Sequence, residues 1–127
     1  MLTQILAISA GAMLGALLRW ALGLSLNPLF PTLPIGTLVA NLLGGYLIGL
    51  SVAVFSHYGS LPAEARLFVI TGFLGALTTF STFSNEVVSL LLRNQPGWAF
   101  TTAGVHLLGS LSMTWLGLQT LRLFVRH

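Results

Sequence analysis

Residues 66–92 read RLFVITGFLGALTTFSTFSNEVVSLLL. The ends of this run are apolar enough to lie in a bilayer, whose hydrocarbon core of about 30 Å takes roughly 20 helical residues to cross. Its middle is different, because Thr78-Thr79-Phe80-Ser81-Thr82-Phe83-Ser84 holds five hydroxyls and two phenylalanines. In hydrocarbon an unpaired polar group costs on the order of several kcal/mol, so such a cluster must face protein, water or a passing solute rather than lipid. Residues 66–92 therefore read as a membrane span and as the place where function resides.

Three further apolar runs flank it, Thr3–Leu24, Leu33–Phe55 and Trp98–Phe124. The breaks between runs, Ser25 through Pro34, Ser56 through Pro62 and Arg93 through Gly97, are rich in turn formers. The runs are long and continuous without period-2 alternation, which favours helices over a barrel. The expectation is an all-α membrane protein, one domain over residues 1–127, with four transmembrane helices per chain. The amino-terminal run lacks a basic leader and passes residue 20, so it reads as a span and not as a cleavable signal peptide.

Composition agrees: 55% of residues are hydrophobic and 6% charged, and the mean hydropathy is +0.93, outside the range of soluble domains. The formal charge of +3 comes from five basic residues, all arginines scattered among apolar segments. No basic patch exists to hold nucleic acid. The pI of about 10.8 reflects only the scarcity of acids. The absence of cysteine excludes disulfides and thiolate metal sites. Three histidines and two acids in no metal or triad spacing argue against an enzyme.

Small and polar residues recur every four positions, and so share one helix face. The first run carries Ala7, Gly11, Gly15, Arg19 and Gly23, the second Thr37, Asn41, Gly45 and Gly49, the fourth His106, Ser110 and Thr114. Glycines in such stripes read as close helix packing, whereas an amide or imidazole in the membrane needs partners and reads as functional. In the third run, Gly72 and Gly75 precede Thr78 and Thr79, all weak helix formers, so a break is expected near Gly75–Thr79. Carbonyls at such a break can hold a cation, and the free N–H groups that open the next half-helix suit anions or hydroxyl caps.

The face holding both termini and the second loop would carry Arg66, Arg122 and Arg126, the opposite face Arg19 and Arg93. The positive-inside rule needs a clear excess on one side. A balanced chain is compatible with insertion both ways, and two opposed copies can pair about a two-fold axis in the membrane plane.

Gly11-Ala12-Met13-Leu14-Gly15-Ala16-Leu17-Leu18-Arg19-Trp20, Gly36-Thr37-Leu38-Val39-Ala40-Asn41-Leu42-Leu43-Gly44 and Gly72 through Ser84 together resemble the CrcB/Fluc fluoride channel family. The resemblance implies a fluoride-selective channel for passive export, which lowers cytoplasmic fluoride toxicity, in a bacterial inner membrane. It implies an antiparallel, dual-topology homodimer in lipid, with two pores and a structural Na+ at its centre. The sodium would be held by backbone carbonyls of Gly75 and Thr78 from both subunits. Phe80 and Phe83 would meet the anion with their electropositive ring edges. Asn41 would donate its amide to fluoride, and Ser81, Thr82, Ser84, Ser110 and Thr114 would supply hydroxyls along the pore, with His106 lining it. Arg19 would be a vestibule arginine that concentrates anions, and Glu86 would cap or position the third helix.

Two other readings fit the sequence less well. A small multidrug-type exporter shares the size and dual topology but needs an acid in the first helix, and residues 1–24 contain none. A non-transport membrane subunit gives no reason for the hydroxyl and aromatic cluster.

Overall fold

The computed structural model describes residues 1–125; Arg126, counted above in the charge balance, lies outside them. Among the described residues the chain is all helical. Helix α1 covers Leu2–Leu26 and is followed by a 3-10 turn, Asn27–Leu29. Helix α2 covers Ile35–His57. The third run opens with α3, Ala63–Arg66, continues as a π-wound stretch, Leu67–Leu74, and tightens into α4, Gly75–Leu77. Helix α5 then covers Phe80–Leu92, and α6 covers Pro96–Val125.

The four runs form an up-and-down bundle. At one end Phe30, in the first connection, packs at a tilt against Trp98 at the start of α6, ring centroids 5.5 Å apart. At the other end the Thr3 hydroxyl donates to Glu64 at 3.4 Å, joining the start of α1 to α3. Three runs are long and apolar enough to cross a membrane, Leu2–Leu29, Ile35–His57 and Ala63–Leu92. Helix α6, 30 residues and hence about 45 Å long, has the length, but Thr101, Thr102, His106, Ser110, Ser112 and Gln119 dilute its apolarity. Large side chains on the outside, among them Leu14, Leu17, Trp20, Leu107, Leu108, Leu111 and Trp115, are exposed. Apolar exposure on this scale suits lipid.

Local sequence explains the joints. Pro34 precedes α2 and offers no side-chain cap, and Asn27 replaces it by accepting from the Thr37 N–H at 3.1 Å. Helix α5 is closed by Asn94, two residues past its last turn and in the left-handed region at φ 59°. The Asn94 N–H reaches Leu91 O at 3.1 Å and the Gln95 N–H reaches Leu90 O at 2.9 Å, the paired bonds of a Schellman turn. Pro96 then opens α6, where a missing N–H costs nothing.

The glycine stripes are packing faces. A Cβ on Gly11 or Gly15 would run into the backbone of Phe68 or Phe73, so α1 lies directly on the π-wound stretch. Gly49 and Gly117 play the same part between α2 and α6, against Thr114 and Tyr46 backbone. Ala40, Leu74 and Leu77 form the buried core between these layers, with Leu18, Leu22 and Leu43 packed around them.

Candidate functional site

The backbone at Thr78 is extended, with ψ 151°, and so is that at Thr79, with φ −147° and ψ 114°. These two residues separate α4 from α5. The Thr79 side chain caps α5 by accepting the Thr82 N–H at 3.2 Å. Its hydroxyl also donates to Thr82 Oγ1 at 3.0 Å and lies 3.3 Å from Ser81 Oγ. The hydroxyl cluster is therefore first a helix-opening motif. Ser84 sits half-buried on α5, one turn beyond Phe80.

The carbonyl end of α4 is also engaged. Arg19 Nε donates to Ala76 O at 2.9 Å, setting a guanidinium against the partial negative charge of a helix end. The family resemblance implies a vestibule position for this arginine; its Nε is turned to a helix end within the bundle. Thr78 bonds back to its own turn, its N–H to Leu74 O at 3.1 Å and its hydroxyl to the same oxygen at 2.9 Å. Gly75 is exposed.

Asn41 of α2 meets the extended pair as a peptide would. Thr79 N–H donates to Asn41 Oδ1 at 2.8 Å, and Asn41 Nδ2 donates to Thr79 O at 3.2 Å. The same Nδ2 lies 3.1 Å from His106 Nδ1 on α6. Three chain segments, remote in sequence, thus converge on one amide.

Beside this junction a cavity of about 440 Å³ opens between α2, the third run and α6. Asn41, Thr78, Phe80, Phe83, His106 and Ser110 all line it. Phe80 and Phe83 sit edge to face, centroids 5.6 Å apart at 61°, and Phe83 tilts over the His106 ring at 4.7 Å. Gly75 borders the same space. Arg19, Ser81, Thr82, Ser84 and Thr114 are not part of this wall, and Thr114 Oγ1 donates to Gly45 O at 2.9 Å, joining α6 to α2.

Glu86 does not cap α5, since Thr79 holds that position. Its carboxylate Oε2 lies 4.0 Å from His106 Nε2, and the two side chains are only 11% and 4% exposed. Both atoms, with Thr102 Oγ1, are buried without a hydrogen-bond partner. The sequence marks Thr79 as part of the hydroxyl cluster and of the expected break but not as a helix cap, and it does not mark Thr102. Thr79 was legible in principle, as a threonine three residues before a hydroxyl-bearing first turn; Thr102, one turn before His106 on the same face, carries no distinguishing mark.

The profile of the family described as CrcB-like protein, Camphor Resistance (CrcB), matches residues 6–118. A fluoride-specific ion channel FluC of Nitrosospira multiformis is 63% identical over 121 residues, covering 95% of this chain and 94% of that protein. One from Tolumonas auensis is 59% identical over 126 residues, covering 99% of each. Another from Nitrosomonas europaea is 57% identical over 120 residues, covering 94% of each.

Proposed function

Because this chain belongs to the CrcB-like family, we propose that it is a fluoride-selective channel, not an enzyme, that lets the ion leave the cell passively across the inner membrane. The relatives named FluC support this reading along nearly their whole length. The observation that carries it is the cavity wall, where two phenylalanines at edge-to-face geometry stand with Asn41, His106 and Ser110 in an otherwise apolar bundle.

The physical demand on such a pore is to replace the hydration of a small, hard anion. Ring edges of Phe80 and Phe83 are electropositive and can meet an anion in the plane of the ring. Ser110 offers a hydroxyl donor from the cavity wall. In this proposal Ser81, Thr82, Ser84 and Thr114 extend the line of hydroxyls beyond the cavity wall, and Arg19, its Nε held on Ala76 O, adds a positive field that raises the local anion concentration. An isolated charge without such donors would not enter a low-dielectric bundle.

The working unit in this proposal is a single four-helix domain, with α6 as its fourth crossing, paired antiparallel with a second copy to give two pores. The extended Thr78–Thr79 pair is the break in the third membrane helix. Carbonyl oxygens of Gly75 and Thr78 fit a hard cation such as Na+ in donor chemistry. Gly75 is exposed on the single chain, and the Thr78 hydroxyl, bound to Leu74 O, is spoken for. One chain would supply two carbonyls and its partner two more; the ion would then lock the pair together and carry no part of the flux.

Reconstitution tests the proposal directly. Liposomes loaded with fluoride and bearing the purified protein should release it rapidly to an external electrode once potassium and valinomycin clamp the voltage, with little chloride release under the same conditions. No fluoride release above that of empty liposomes would sink the channel reading.

A further inference from the structure

We infer that a cleft between the carboxyl-terminal ends of α2 and α6 is a site for an anionic phospholipid, whose headgroup is held by Arg122 with His57, Gln119 and Ser56. The inference does not depend on the channel reading.

The cleft follows from where the glycines stop. Helices α2 and α6 run the same way, because Gly45 sits against Ser110 and Gly49 against Thr114, so that the two advance together. Past Gly49 and Gly117 neither helix has another glycine, through His57 on α2 and Val125 on α6. Full side chains then hold the backbones apart, and a cavity of about 520 Å³ opens beside their last turns. Helix α2 has 23 residues, a length of about 34 Å, which spans a hydrocarbon core of about 30 Å. Its last residue, His57, therefore lies at headgroup level.

The lining has two chemistries. Val52, Ala53 and Leu118 give a half-buried apolar floor, whereas Ser56, His57 and Arg122 are exposed and polar, and half-buried Gln119 adds an amide. A guanidinium presents a fork of donors that meets two phosphate oxygens at once, and the amide, hydroxyl and ring N–H can donate to the others. Neither acid of the chain, Glu64 or Glu86, lines the cleft. A cation in the last turn of a helix offsets the helix dipole and is by itself ordinary. The apolar floor is what separates the candidates: the dipole does not call for it and a free phosphate ion has no use for it, while an acyl chain buries on it. Basic pockets between membrane helices hold anionic headgroups in this way.

Native mass spectrometry of the purified full chain tests this without reference to transport. Delipidated protein is titrated with phosphatidylglycerol and, separately, with phosphatidylcholine of the same acyl chains. Phosphatidylglycerol should bind at least about fivefold more tightly, the factor carried by about 1 kcal/mol for one basic residue at an anionic surface. Arg122→Gln should erase that preference, while Arg93→Gln, which removes the same charge at the opposite end, should keep it. Ala53→Trp fills the floor without changing the charge and should weaken phosphatidylglycerol binding by a similar factor; it decides the matter if Arg122→Gln fails to assemble. Equal binding of the two lipids by the unaltered protein, an undiminished preference in Arg122→Gln, or an equal loss in Arg93→Gln overturns the inference. So does full displacement of the lipid by inorganic phosphate, which would make the cleft a free-anion site. A protein that carried no fluoride would refute the channel and leave these titrations as they are.

Discussion

At the scale of single residues the two phenylalanines sit in different surroundings. Phe80 is 79% exposed on the single chain, while Phe83 is half-buried against His106. Isoleucine keeps apolar bulk at either position but has no ring quadrupole, so it separates edge electrostatics from simple filling. Phe80→Ile and Phe83→Ile should each slow fluoride release from proteoliposomes by at least about tenfold, equivalent to about 1.4 kcal/mol on the barrier. Gel filtration should show assembly unaltered. Undiminished release from both variants would refute the role given to the ring edges.

Between helices, stability depends on backbones that touch. A Cβ at Gly49 would collide with the backbone carbonyl of Thr114 and crowd the N–H of Leu118, so a side chain there must push α6 off α2. Overpacking of this kind costs about 1–3 kcal/mol even where neighbours adjust, and backbone adjusts little. Gly49→Leu should therefore lower the thermal unfolding midpoint in detergent and reduce fluoride release, whereas Gly104→Ala, with open space around it, should do neither. Equal midpoints for the two variants would show that this glycine is not a packing contact.

These stripes were legible in the sequence because glycine spacing alone sets which face is flat. In the sequence the glycines and threonines near Gly75–Thr79 suggest a break; the backbone is extended at Thr78 and Thr79. The π winding of Leu67–Leu74 was not legible. It accompanies the close seating of Gly72 on Ile8 and Gly11, a contact between remote segments. The bond between Asn41 and Thr79 was hidden for the same reason, since no local pattern announces that an amide will mimic a strand partner 38 residues away.

For the whole molecule the proposed antiparallel pair makes insertion orientation the quantity to test, and charge offers a handle. Arg66 and Arg122 lie toward one end of the bundle and Arg93 at the other, while Arg19 is turned inward to Ala76 O. So small a difference holds neither orientation firmly. Two added lysines per end would outweigh it. Gly59 and Gly97 have nothing near an added Cβ, so Gly59→Lys with Ser60→Lys loads one end, and Gln95→Lys with Gly97→Lys loads the other. Asn94 is left alone because its positive φ closes α5. Each doubly substituted chain, expressed by itself, should insert one way and show little fluoride release after purification. Expressed together, the two should recover release, since an antiparallel pair needs one chain of each orientation. Full release from either variant alone, with a carboxyl-terminal reporter confirming a single orientation, would show that opposed copies are not required.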